Sequence, residues 1–173
     1  SGSEEAVLFY INDSTVVVGR NQTIEAEVDV DYCHRYGIEV VRRLSGGGAV
    51  YHDTGNLNFT FIVNKKDFDR PRQDQVIIEA LNQLSIHAEV NGRNDLVING
   101  CKFSGHAYYH GSKNSYHHGT IMVDVDMSPL EKYLNVSPLK LQAKGVPSVR
   151  SRVTNLRDYI PNLSIPALEE ALV

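Results

Sequence analysis

Four strand-like runs follow one another in the second half of the chain, "HAEV" (87–90), "DLVIN" (95–99), "CKFSGHAYY" (101–109) and "GTIMVDV" (119–125), with no interval long enough for a crossover helix. Parallel neighbours need a connection of a dozen or more residues, usually helical, whereas antiparallel neighbours need only a turn. The runs therefore confine the chain to an α+β architecture, a mixed and largely antiparallel sheet with flanking helices, and exclude a doubly wound parallel sheet. Earlier in the chain, "AVLFYI" (6–11) and "STVVVG" (14–19) flank Asn12-Asp13 and predict a hairpin. Residues 24–36 read as helical up to Gly37, and "IEVV" (38–41) as a strand. Val76, Ile77, Ala80, Leu81 and Leu84 share one helical face, and Pro71 suits a first turn, so a helix is expected over 71–84.

With 173 residues, 42% of them hydrophobic and 22% charged, the chain has the size and composition of one domain built on one core. A net charge of −4 argues against partners held by phosphate neutralisation, so neither nucleic acid nor an anionic membrane is expected. No run is apolar and long enough to span a bilayer, and two cysteines, Cys33 and Cys101, fit a cytoplasmic setting. The chain opens Ser-Gly-Ser without methionine and stops in "PALEEALV". The expectation is a single catalytic-type domain over 1–173, trimmed at both ends, with residues 1–3 an added tag.

Between the "IEVV" strand and the alternating "LNFTFIV" (57–63) lies "RRLSGGGAVYHD". Three consecutive glycines give up side-chain packing and raise the entropy lost on folding, so bare backbone is required at that point. The run lacks both the G-x-x-x-x-G-K-[ST] and the G-x-G-x-x-G spacing and leads into a strand, which excludes the two best-known phosphate loops. Arg42, Arg43, His52, Asp53, Asn56 and Asn58 converge on it. Farther on, Asn99-Gly100 predicts a type I′ turn that returns Lys102 along a strand beside Asp95.

Taken together, "VVRRLSGGGAVYHDTGNLNF" (40–59), "GRNDLVINGCKFSGHA" (92–107), "HHGT" (117–120) and "AKGVPSVRSRVTNL" (143–156), in this order and spacing, resemble the lipoate-protein ligases, within the larger biotin and lipoate ligase fold. The match extends from residue 7 to 159. The resemblance implies activation of lipoate or octanoate by ATP to an acyl adenylate, with Mg2+ arriving on the ATP and no dedicated metal site. Transfer to a lysine of an acceptor lipoyl domain or a glycine-cleavage H-type protein follows. By the family pattern Lys102 is the catalytic lysine, touching both the acyl carboxylate and the α-phosphate. Arg43, Gly48, Ala49, Val50 and Tyr51, with Lys102, correspond to ATP-binding positions. Ser45, Gly46, Gly47, His52 and Asn56, again with Lys102, correspond to lipoate-binding positions. Asn94 and Asp95 are orienting groups, and Lys144 begins a loop that covers the adenylate. Relatives of this kind carry an Asn-Leu-Ala-type helix ahead of the domain and an accessory domain after it. Neither is expected here, so a separate accessory domain joins the expected partners.

Two alternatives accompany this reading. One is an octanoyl or lipoyl acyltransferase of the same fold, in which a thiol such as Cys101 carries the acyl group. Its adjacency to Lys102 on a strand turns the two side chains to opposite faces. The other is a module that binds ATP or lipoyl-AMP without completing transfer. His106, His110, His117 and His118 raise the question of zinc. No paired carboxylate accompanies them in sequence and neither cysteine has ligand spacing, so structural or substrate-facing roles are expected instead.

Overall fold

The structure, a computed structural model, describes residues 5–92, 94–128, 130–133 and 153–173; Lys144 and its neighbours up to residue 152 lie outside them. The strands in chain order are β1 (Ala6–Tyr10), β2 (Thr15–Val18), β3 (Glu39–Arg42), β4 (Val50–His52), β5 (Asn56–Asn64), β6 (Glu89–Asn91), β7 (Asp95–Ile98), β8 (Cys101–His110) and β9 (Asn114–Met122). The helices are α1 (Ile24–Glu27), α2 (Val30–Arg35), α3 (Arg70–Gln83), α4 (Leu130–Tyr133) and α5 (Ile165–Leu172). A six-stranded antiparallel sheet runs β1-β5-β9-β8-β7-β6, and a three-stranded sheet runs β3-β2-β4. The α+β expectation holds, with one parallel pair, β2 with β3, joined across α1 and α2.

Period-two alternation sorts the large sheet into two faces. Leu57, Phe59, Phe61 and Ile121 point one way and pack on Ile77 and Leu81 of α3 and Leu168 of α5, forming the main core. Asn56 and Asn58 point the other way and are also buried, which marks that face as covered and polar. Helix α3 forms where the sequence places it: the Asp69 side chain accepts from Arg72 N at 3.2 Å, and Pro71 occupies the first turn, where its missing N–H costs nothing.

The β1–β2 hairpin does not form. β1 is an edge strand of the large sheet, paired with β5 so that Phe9 faces Phe59. β2 is the centre of the small sheet, where Val16, Val17 and Val18 are all buried. A strand buried at every position needs neighbours on both edges, and β1 could supply only one. The Asp13 carboxylate accepts from Ser14 N at 2.8 Å, so the turn chemistry at 12–13 redirects the chain between sheets and does not fold it back. The helical stretch after Gly19 splits into α1 and α2, and Gly37, at φ +67°, closes α2 as expected. Cys33 is fully buried in the small sheet's core with Val16, Val18 and Val28, a packing residue.

Candidate active site

Asn99 and Gly100 both have positive φ, 51° and 78°, as a type I′ turn requires. The turn returns β8 along β7, and Lys102 Nζ sits 2.7 Å from Asp95 Oδ1 with both side chains 38% exposed. The backbone under Lys102 is anchored from its far side, its carbonyl accepting from Thr154 N at 2.9 Å. Gly105 has a role the sequence did not disclose. A Cβ there would lie 3.0 Å from Lys102 Nζ and 3.1 Å from its Cε, so the absent side chain is what lets the lysine lie flat along the sheet. The Asn94 side chain is exposed, while its carbonyl accepts from His106 N at 2.8 Å and fixes the entry of β7 against β8.

The glycine loop is shaped by its own arginine. Arg43 donates from Nε and Nη2 to the Gly46 carbonyl, from Nη2 to the Gly48 carbonyl at 2.7 Å, and from Nη1 to the Val17 carbonyl at 3.0 Å. Four of its five N–H donors thus serve backbone oxygens. Arg42 likewise gathers the carbonyls of Gly19, Arg20 and Gln22 with Nη1. Gly47, at φ +95°, adopts a conformation only glycine takes without strain. At Gly46 and Gly48 a Cβ would meet nothing within 4 Å, so these two glycines leave open space and do not fill a tight turn.

One long-range contact seats the loop on the large sheet: Ser45, almost fully buried, has its Oγ 2.6 Å from His118 Nε2 on β9. Burial chiefly, then the Arg43 and His106 charges, pushes His118 down to about 4, so the ring is neutral. In the register, His118 pairs with Ala107 and Thr120 with Gly105. His118, Thr120 and the missing Cβ of Gly105 therefore share one face of the sheet, two residues or about 7 Å apart along β9. The bare loop at one end and the Lys102 ammonium at the other border the same strip.

His52 faces this strip as well. Its Nδ1 accepts from Asn12 Nδ2 at 3.0 Å, which leaves the hydrogen on Nε2, and that buried atom has no partner among the described residues. Asn56 is buried nearby, with its amide donating to Asn58 Oδ1 at 3.2 Å. Tyr51 departs from the group: it packs on the small sheet's core and its ring centroid lies 4.9 Å from that of Tyr133, on the side of β4 opposite His52. Ala49 also packs there, and Val50 is exposed. Of the positions nominated from sequence, then, Arg43, Ser45 to Gly48, His52, Asn56, Asp95 and Lys102 are gathered, whereas Ala49, Val50 and Tyr51 present only backbone. Sequence reasoning missed His118 as the residue that seats the loop. Its one signal was membership in "HHGT".

His52 also gives the fold an acid sensitivity. Burial chiefly, then the Arg43 and His118 charges, lowers it from 6.5 to about 4. Between those two values the unfolded chain holds a proton that the folded chain refuses, so stability falls as pH falls from 6.5 towards 4. From this residue alone, urea unfolding should show about 2 kcal/mol less stability at pH 5 than at pH 7. His52→Gln should remove about that much of the pH dependence. An unchanged slope in the variant would contradict the assignment.

The fold and site together define a class: an α+β domain in which a lysine and a backbone-lined loop border one face of an antiparallel sheet. Among solved structures, one described as a bi-partite lipoate protein ligase and its E2 lipoyl domain, from Thermoplasma acidophilum, superposes with a TM-score of 0.87 at 33% identity, covering 99% of this chain and 69% of that one. A lipoate-protein ligase A bound with ATP gives 0.83 at 31%, covering 99% and 71%. The curated lipoate-protein ligase A of Psychrobacter cryohalolentis is 44% identical over 162 residues, 94% of this chain and 48% of its own length. The profile of the family described as "Lipoyl protein ligase A/B catalytic domain" matches residues 1–173, and the chain belongs to that family. It spans about half the length of the curated relatives it matches.

Proposed function

We propose that the chain is the catalytic part of a lipoate-protein ligase, which activates the lipoate carboxylate with MgATP to lipoyl-AMP and passes the lipoyl group to a lysine of an acceptor lipoyl domain. The observation that carries this reading is the Lys102 ammonium, held by Asp95 across Gly105, on the same face as the open glycine loop. Joining a carboxylate to an α-phosphate brings two anions together. At an effective dielectric near 20, unit charges about 4 Å apart repel by about 4 kcal/mol. A lysine fixed between them offsets a cost of that order and gains most when the new bond is forming.

The other residues have supporting roles in this reading. Asp95 keeps the ammonium in place before substrates arrive and gives way to stronger anionic partners when they do. The open space beside Gly46 and Gly48 admits the acyl chain and the nucleotide against backbone. Arg43 shapes that backbone, and its remaining Nη1 hydrogen is left for a phosphate oxygen. His52 Nε2–H and the Asn56 amide offer donors to the acyl carboxylate, while Ala49, Val50 and Tyr51 contribute main-chain groups to the nucleotide. Lys144 belongs to a cover that excludes water from the mixed anhydride. Mg2+ comes with the nucleotide, held by phosphates and water. The acceptor side takes a lipoyl domain or an H-type protein, with an accessory domain as a further partner. No described helix is long and apolar enough to cross a membrane, and the unpaired Cys33 and Cys101 suit a reducing cytoplasm.

The test is pyrophosphate release from ATP with lipoate, octanoate or biotin as the acid, followed by mass spectrometry of an acceptor lipoyl domain. Lipoate-dependent release and a lipoylated acceptor are expected. Release without transfer would reduce the chain to an adenylating unit. ATP-independent octanoyl transfer from a carrier protein would replace the ligase reading with the acyltransferase.

A further inference from the structure

On the opposite face of the large sheet, under α3, lies a polar cluster that the proposed chemistry does not use. Asp74 of α3, His106 of β8 and His117 of β9 are 3%, 8% and 0% exposed, packed among the rings of Phe59, Phe61 and Tyr108. From sequence, no paired carboxylate accompanies the histidines and neither cysteine has ligand spacing, so zinc is not expected. Tertiary structure supplies a carboxylate, from a helix more than thirty positions earlier in the chain.

Three atoms face one another. His117 Nε2 is 2.9 Å from His106 Nδ1, His106 Nδ1 is 3.1 Å from Asp74 Oδ1, and His117 Nε2 is 3.8 Å from Asp74 Oδ1. The outward atom of each residue is engaged elsewhere: His117 Nδ1 lies 3.1 Å from Gln73 Oε1, His106 Nε2 lies 2.8 Å from Ser104 Oγ, and Asp74 Oδ2 takes Arg70 Nε at 3.3 Å. With both imidazole rings neutral, hydrogen counting leaves at least one inward acceptor without a donor. The Gln73 oxygen only accepts, so the His117 hydrogen is on Nδ1 and its Nε2 presents a lone pair. If Ser104 accepts from His106 Nε2, the inward Nδ1 is a second lone pair. If Ser104 donates instead, the Nδ1 hydrogen goes to His117 and the carboxylate oxygen goes without. Asp74 Oδ1 is in fact buried with no aligned hydrogen bond among the described residues.

A transition-metal ion would satisfy all three atoms together. The centre of a triangle with these edges lies about 2 Å from every corner, the usual zinc–nitrogen and zinc–oxygen distance. Outer contacts that fix each ligand's tautomer or orientation, here Gln73, Ser104 and Arg70, are the ordinary accompaniment of histidine and carboxylate ligands. Two imidazoles and one carboxylate suit zinc and not Mg2+ or Ca2+, which take oxygen ligands. We propose that Asp74, His106 and His117 form a structural Zn2+ site that ties α3 to β8 and β9, with a fourth position left for water. Arg70, its side chain 27% exposed, holds the outer oxygen of Asp74 from the solvent side.

The experiment exposes chelator-treated protein to Zn2+ alone, removes free metal by gel filtration and counts metal per chain by mass spectrometry. One equivalent is expected, with a higher melting temperature in the loaded form and ligand-field bands when Co2+ replaces Zn2+. His106→Leu should lower retained metal at least tenfold. Retention well below one equivalent in the wild type, or a full equivalent in His106→Leu, overturns the proposal. Should that variant fail to fold, imidazole nitrogen NMR of the wild type decides: metal must shift His106 Nδ1 and His117 Nε2, and unmoved signals overturn the site.

Discussion

Lys102→Ala is expected to lower acyl-adenylate formation about a thousandfold or more while the folded domain persists. About 4 kcal/mol of anion–anion repulsion left unshielded in the transition state corresponds to three powers of ten in rate. The fold should tolerate the change because the Lys102–Asp95 pair is more than a third exposed, and pairs of that kind contribute about 0–1 kcal/mol. Lipoate-dependent pyrophosphate release measures the first half, and thermal unfolding the second. Lys102→Arg sharpens the test, since it keeps the charge but not the compact ammonium that fits over Gly105. Adenylation at wild-type rate by the alanine variant would end the proposed mechanism. Loss of rate together with loss of folding would leave Lys102 a structural residue and would count against it equally.

Gly19→Ala is expected to have the second largest effect, at a position that is itself assigned no substrate contact. Gly19 follows β2, and a Cβ there would run into the Gly47 carbonyl oxygen, stand 3.0 Å from the carbonyl carbon and 3.3 Å from Arg43 Nη2. The obstacle is backbone, which cannot swing aside as a side chain end can. The glycine loop must therefore shift by roughly an ångström, and a misplacement of that size costs about a hundredfold in rate. Overpacking adds about 1–3 kcal/mol of destabilisation. Gly46→Ala makes the informative contrast, because its Cβ would enter open space. It should leave unfolding unchanged yet weaken acyl-substrate binding. Equal activity in Gly19→Ala and wild type would mean that the loop is not held where the structure puts it.

The reach of the sequence differed from element to element. The Asn99-Gly100 turn and the Lys102–Asp95 pairing were legible because a two-residue turn fixes its own register within a few positions. Helix α3 was legible for the same reason: cap, first-turn proline and apolar face all lie inside the segment. The hairpin of β1 and β2 was misread because the same β-branched runs suit any sheet, and only burial at every position of β2 excludes an edge partner. The Tyr51 side chain was nominated with its neighbours, yet alternation along β4 turns it towards the small core.

By itself, then, the sequence determined an antiparallel α+β frame, the need for bare backbone after Arg43, and the place of a lysine at the start of β8. These are properties of short windows, where steric and hydrogen-bonding rules act between residues a few positions apart. Only the tertiary structure decided that Ser45 would rest on His118, 73 positions away, and that Gln73 and Asp74 would meet His117 and His106 beneath the sheet, Gln73 reaching across 44 positions. Such contacts depend on which faces the packed core leaves opposite each other, and no local pattern encodes that choice.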